Sequence, residues 1–204
     1  MRCCTRVPAW SWMAVLLGLS WSVAPVAQAL ATEVVIYGFE HGEDGWAIPD
    51  WAKASNDYVG AGLAVSHDHA VEGRASLEMQ AQFPGGRWTG AYVERLIETT
   101  DWSAFGDLLL SVYLPLEAPH DLKGKVILTV GDQWTWTEAS RAVPLEPGQW
   151  TTLSVNLKPG SMDWKFFPDD AFRRDVRKLG IRIESDKGSA YSGPIFIDDV
   201  RLSG

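Results

Sequence analysis

The chain has 204 residues, and 26 acidic against 18 basic side chains leave a formal charge of −8. An acidic balance of that size makes nucleic acid and anionic membranes poor partners, while neutral polymers stay open. There are two cysteines, Cys3 and Cys4, and eleven tryptophans, a high number for the length.

The first 29 residues read as an export signal. Arg2 and Arg6 give a positive start, Met13–Ala24 is a short apolar run, and Ala27-Gln28-Ala29 is a small-x-small cleavage site. Cleavage after Ala31 is the close alternative. The apolar run is too short to span a bilayer well, so no membrane insertion is expected. Removing residues 1–29 leaves one domain, 30–204, with 16 basic and 26 acidic side chains, a charge of −10 and eight tryptophans. Both cysteines leave with the signal. A cysteine-free domain in a disulfide-permissive compartment points to a bacterial protein that is secreted or periplasmic, and makes a metal the obvious alternative staple.

From Val34 onward almost every segment reads as a strand between turn signals. Val34–Phe39 is an apolar run that ends at Glu40, and Leu63–His67 is short and flanked by glycine. In Ser76–Phe83, Leu77, Met79, Ala81 and Phe83 share one face, and Glu78, Gln80 and Gln82 the other. Ala91–Leu96, Leu108–Leu114, Lys125–Val130, Thr135–Ala142 and Trp150–Leu157 follow, each beside Pro, Gly or Asp turn residues. Asp169–Arg177 is the only helical stretch expected, and Leu179, Ile181 and Ile183 form another strand. Nine or ten short strands with one helix indicate an all-β fold, an antiparallel β-sandwich of jelly-roll type.

The last strand, Gly193–Leu202, changes parity. Ile195 and Ile197 share a face, yet Val200 and Leu202 fall on the other, so a β-bulge is expected at Asp198 or Asp199. Two adjacent carboxylates at a kink beside the core invite a hard cation. If first and last strands pair, Glu40 joins Asp198 and Asp199 around it, and the turn from His69 to Arg74 supplies carbonyl ligands. The alternative is three solvated acids at a strand end.

Catalytic patterns are weak. His67 and His69 lie two apart in an exposed-looking loop, and neither Gly-x-Ser-x-Gly nor His-Glu-x-x-His occurs. The aromatics carry more information. Trp134 and Trp136 have one strand parity in a polar stretch, and Trp51, Tyr58, Trp88 and Trp164 fall in loop-like polar surroundings, as a recognition surface would. Trp46, Trp102 and Trp150 are expected to cap the core. Counting parity from Val126, Leu128 and Val130 puts Trp134 and Trp136 in the core as well. A turn at Gly131-Asp132 would reset the count and expose them.

Phe39-Glu40, Trp46, Gly73-Arg74-Ala75-Ser76-Leu77, Asp101-Trp102-Ser103, Gly148-Gln149-Trp150, Leu179-Gly180-Ile181 and Ile195-Phe196-Ile197-Asp198-Asp199-Val200 stand in that order. The series resembles the galactose-binding-like jelly-roll carbohydrate-binding modules, especially the mannan- and β-glucan-binding families attached to bacterial glycoside hydrolases. The likeness runs from Val34 to Leu202. It implies a structural calcium ion near Glu40 and the last strand, with Asp198 ahead of Asp199 as ligand. It also implies a polysaccharide groove lined by tryptophans, non-catalytic, with a glycoside hydrolase acting alongside. Trp134 and Trp136 are the expected platform, with Trp88 and Trp164 as further sugar-binding candidates should that pair prove to be core, and Tyr113, Gln80, Arg182 and Glu184, on outward parities, are the expected polar partners. Two rival functions are a jelly-roll glycan lyase or hydrolase using Arg141, Tyr92 and Glu94, and an envelope or assembly protein that holds a protein partner.

Overall fold

The computed structural model describes Met1, residues 32–166 and residues 168–204. The expected export signal lies outside the described residues. In chain order the elements are β1 (Glu33–Tyr37), α1 (Asp50–Lys53), β2 (Gly60–Ser66), β3 (Ser76–Phe83), β4 (Thr89–Leu96), β5 (Asp107–Tyr113) and β6 (Lys123–Val130). They continue with β7 (Thr135–Glu138), β8 (Val143–Pro144), β9 (Trp150–Asn156), α2 (Asp170–Arg174), β10 (Val176–Ser185) and β11 (Tyr191–Ser203).

Two antiparallel sheets result. The first runs β2-β3-β11-β5-β9, with β1 on the C-terminal half of β11. The second runs β4-β10-β6-β7, with β8 also on β6. Their inner faces carry the alternating apolar residues that define the strands, among them Leu77, Met79, Val126, Leu128, Leu108, Leu110, Ile181, Ile183, Ile195 and Ile197, all buried. Trp46 and Trp102 close the ends of this layer, whereas Trp150 is half-buried against Tyr113 on the outside of the first sheet.

The last strand holds the bulge. Asp198 faces Ser111 and Arg201 faces Leu109, so three steps on β11 answer two on β5. Asp199 takes the extra place with φ 52°, a left-handed conformation uncommon outside glycine. Ile197 and Val200 therefore both reach the core although three positions separate them. The first strand pairs with the last, as Val34 opposite Leu202 shows.

Three expectations need correction. The helix near Asp169 is a single turn capped by the Asp169 side chain, which accepts from the Phe172 amide. A second short helix, α1, lies in the loop after β1. The strand from Thr135 stops at Glu138, and Ala139 bridges to Trp164 instead. Among the described residues no helix is long and apolar enough to cross a membrane.

Candidate functional site

The outward positions of the second sheet form an ordered grid. Across the strands, Tyr92 on β4 faces Arg182 on β10 and Lys125 on β6. One row on, Glu94, Gly180, Ile127 and Glu138 line up, and in the next Leu96, Lys178, Thr129 and Trp136. Glycine at 180 is required by contact: a Cβ there would stand 2.2 Å from the Tyr92 hydroxyl, so the phenol ring lies flat over the strand. Gly90 plays the same part for Arg182, whose Cδ would come within 3.2 Å of a Cβ.

On this floor the aromatics gather. Trp51, carried by α1, lies 5.0 Å from Tyr92 and 5.7 Å from Trp136 by ring centroids, and Tyr92 lies 5.6 Å from Trp136. Trp51 is 51% exposed and Trp136 39%. They stand edge to face at 82°, an arrangement favoured by the ring quadrupoles. Two concavities share these two indoles. One, about 120 Å³, adds Tyr58, Trp88, Tyr92 and Arg182; the other, about 420 Å³, adds Glu94, Thr129, Trp134 and Lys178. The Arg182 guanidinium sits 5.6 Å over the Trp88 ring.

Charges pair beneath and between the rings. The Tyr92 hydroxyl donates to Glu94 at 3.1 Å, and Lys178 reaches the other Glu94 oxygen at 2.8 Å. Burial, and then the Glu94 charge, push the Tyr92 phenol well above its ordinary range. Arg182 donates to Glu138 at 2.6 Å and to Glu184 at 2.8 Å, and Lys165 also donates to Glu138. Burial raises the Glu138 carboxyl, but Lys165, Arg182 and Lys125 together outweigh it and hold the group below the usual carboxylate range.

Of the expected sugar-contacting residues, Trp134, Trp136, Trp88, Arg182 and Glu184 meet on this face. The parity reset near Gly131 is present: the Trp134 amide donates to the Gly131 carbonyl, and Trp136 faces Thr129 rather than an inward position. Trp134 itself is no strand mate of Trp136. It ends the turn with φ 53°, 49% exposed, beside Arg177 and Lys178 at 5.3 and 5.7 Å from its ring.

The remaining three need correction. Trp164 is 2% exposed; its Nε1 donates to the Asn156 carbonyl and its ring packs on Phe172, so polar neighbours in sequence hid an edge-sealing core residue. Tyr113 and Gln80 do point outward, but from β5 and β3 of the first sheet. Outward parity fixes a face and leaves the sheet undetermined. Lys125, Glu138 and Lys178 are not among the expected site residues, and Trp51, expected only as a loop aromatic of a recognition surface, packs on Tyr92 and Trp136. The outward parity of Lys123, Lys125, Ile127 and Thr129 opposite inward Val126, Leu128 and Val130 was the available signal for the first.

The acids of the first sheet are not gathered as a cage. Glu40 accepts from the Arg74 and Ala75 amides at 2.8 and 3.1 Å, and Asp198 from the Val71, Glu72 and Asp199 amides at 2.7, 3.4 and 2.7 Å. Asp199 turns to Arg201, 3.3 Å away. Among the described residues no three His, Cys, Asp or Glu side chains are placed to hold one metal ion. From the turn expected to offer carbonyls, the Val71, Glu72 and Arg74 amides point at these acids. Its Arg74 carbonyl is engaged by His67 Nδ1 at 2.8 Å, and His69 stacks on Tyr113 at 4.1 Å.

Arg141 of the rival catalytic set lines a different cavity, with Val143, Ser154 and Met162.

Comparison with known proteins agrees with the architecture. Residues 37–199 match the family model described as mannanase, galactose-binding domain-like. Among curated proteins none matches the chain. A carbohydrate-binding module specific for non-crystalline cellulose, of family 28, superposes with a TM-score of 0.61 at 16% identity, over 84% of this chain and 94% of its own. A family 27 module of Caldicellulosiruptor saccharolyticus, solved with mannohexaose, gives 0.57 at 16%, over 84% and 96%. A third structure, of carbohydrate-binding modules from the β-sandwich superfamily with promiscuous specificity, gives 0.54 at 12%, covering 81% of this chain but 60% of the other. At these identities the likeness is one of fold.

Proposed function

The chain belongs to the mannanase galactose-binding-domain-like family, and on that premise we propose that it binds a β-linked polysaccharide along the open face of the second sheet without cleaving it. One observation carries the reading: the exposed Trp51 and Trp136 touch each other and the buried Tyr92 ring beneath them, and two concavities share this pair of indoles. Sugar rings present apolar C–H faces that pack on indole, while their hydroxyls reach polar partners at the edges. Arg182, Glu184, Glu138 and Lys178 are such partners; Arg182 pairs with both glutamates and Lys178 with Glu94, which leaves the floor near neutral, as suits an uncharged ligand.

The non-catalytic part of the reading rests on the state of the acid–base groups. General acid–base work needs a group that titrates near the working pH. The Tyr92 phenol is pushed far above it, both Glu94 oxygens are engaged by Tyr92 and Lys178, and Arg141 lines a different cavity. Export and a glycoside hydrolase acting alongside complete the proposal; a glycan chain is met outside the cytoplasm. Isothermal titration with soluble β-mannan, β-glucan and xylan, beside an assay for new reducing ends or unsaturated products, tests it. Binding without new ends is expected. New ends would overturn the non-catalytic reading, and no binding to any of the three would overturn the groove.

A further inference from the structure

Lys125 is the anomaly of the floor. Its side chain is only 11% exposed, and its ammonium stands 3.8 Å from Glu138 Oε2 and 3.8 Å from Glu184 Oε1. Both distances are too long for a hydrogen bond. The aliphatic stem is what is buried; the ammonium at its tip is not among the buried unpartnered nitrogens and has three N–H donors to offer a ligand. Its surroundings are otherwise tightly paired. Arg182 spans Glu138 and Glu184 at 2.6 and 2.8 Å, and Lys165 holds the second oxygen of Glu138. Glu184 Oε1 has Lys125 as its nearest cation and keeps lone pairs to offer. Tyr92, one strand over from Arg182, joins this cluster to the Trp51–Trp136 pair.

We propose that Lys125, with Glu184 and Glu138 on either side, is the specificity-determining subsite of the groove, and that it reads a pair of adjacent, unsubstituted hydroxyls on one sugar ring. The inference rests on the glycan-binding reading above. A hydroxyl both donates and accepts, so one placed in the gap accepts from the ammonium and donates to Glu184 Oε1. A second, on the neighbouring carbon, accepts from the same ammonium and donates to Glu138 Oε2, whose remaining lone pair is free beside Arg182. Two carboxylates flanking one cation fit two hydroxyls side by side. In a 1,4-linked pyranose chain the positions 1 and 4 are taken by linkages, so the only adjacent pair is 2-OH and 3-OH. The subsite therefore selects 1,4-linked rings that are bare at both positions. An acetyl group at either removes the donated hydrogen and adds bulk where the charges converge.

Titration calorimetry on the full domain tests this with two ligands, β-1,4-mannohexaose and the same oligosaccharide acetylated at O-2 and O-3, and with Lys125→Met and Trp136→Ala beside the wild type. Lys125→Met keeps the stem and removes the charge. It is expected to weaken mannohexaose about ten- to a hundredfold, the usual cost of losing charged hydrogen bonds. Wild type should bind the acetylated ligand as weakly, and Lys125→Met should bind it no worse than that, since both changes remove the same contacts. Mannohexaose binding by Lys125→Met within about twofold of wild type, with Trp136→Ala inactive, would overturn this inference alone. No mannohexaose binding by wild type would overturn this inference, and failure of β-mannan, β-glucan and xylan as well would overturn the glycan reading with it. Should Lys125→Met fail to fold, the ligand arm decides: equal affinity of wild type for the two oligosaccharides overturns the subsite.

Discussion

Phe196 and Trp136 occupy the same kind of place on opposite outer faces of the sandwich. Each is an aromatic residue on an outward parity that packs on further aromatic rings. Phe196 is 2% exposed, covered by His69 at 4.8 Å with Tyr113 alongside. Trp136 stands open at the floor of the groove. The difference lies in the chain between β2 and β3, which folds back over the first sheet and turns its amides onto Glu40 and Asp198. The α1 loop lies on the second sheet as well, with Ala52 and Tyr58 packed on Tyr92 and Ile127, but there the acids are satisfied by lysine and arginine side chains instead of by backbone amides. Backbone donors fix a cover in place, whereas side-chain partners leave a surface that a ligand can enter. One face has been converted into structure and the other kept for recognition.

The largest expected effect separates the two aromatics by stability. Phe196→Ala should cost about 3–5 kcal/mol, as for other buried large-to-small changes. Trp136→Ala should stay within about 1 kcal/mol while abolishing glycan binding. Denaturant unfolding of both variants, with calorimetry on the second, checks the contrast. Equal destabilisation by the two would break the comparison.

Asp198→Ala comes next, at about 1–3 kcal/mol, because it leaves the Val71, Glu72 and Asp199 amides without their acceptor. The loss is tempered because burial already pushes the Asp198 carboxyl up, so removing it also relieves a desolvation cost. Glycan affinity should be unchanged, and a large fall would mean that the two faces are coupled. Calcium sharpens the same point. With amides on both acids, adding it to metal-free protein should leave the melting temperature unmoved. A rise that grows with calcium concentration would show the acids regrouping around the ion.

How far the sequence carried this contrast follows from what parity can and cannot encode. The bulge was legible because Ile195, Ile197, Val200 and Leu202 cannot all face the core without an inserted residue. The outward placing of Trp136, Arg182 and Glu184 was legible from alternation and a glycine turn. Which sheet an outward residue belongs to is a matter of long-range pairing, so Tyr113 and Gln80 were grouped with residues on the other side of the molecule. Trp51 was seen only as a loop aromatic because α1 is four residues long and its role depends on contact with Tyr92. Trp164 looked like a loop residue between Asp163 and Lys165, and only the hydrogen bond to Asn156 reveals it as core. Amide donation from a turn is equally invisible: nothing in the residues from His69 to Arg74 marks that the Val71, Glu72 and Arg74 N–H groups turn onto Asp198 and Glu40.

The smallest effect concerns how the open face keeps its acids charged. The Glu138 carboxyl lies below its ordinary value of 4.5 because Lys165, Arg182 and Lys125 outweigh its burial. A carboxylate depressed by folding gives up stability only as pH falls, since the unfolded chain then takes up the proton first. Its contribution is therefore whole above about pH 4.5 and is lost as pH drops through the lower folded value. Glu138→Gln removes the titration and keeps the shape. The stability difference between wild type and Glu138→Gln should be constant from neutral pH down to about 5, then shrink steadily toward more acidic pH. Denaturant midpoints measured across that range check it. The first sheet supplies the contrast: burial holds the Asp198 carboxyl above its ordinary value despite its amide donors, so the difference between wild type and Asp198→Asn should not shrink as pH falls. A Glu138→Gln difference independent of pH would mean that the cations around Glu138 exert no net pull, and that the open face is held together by its rings alone.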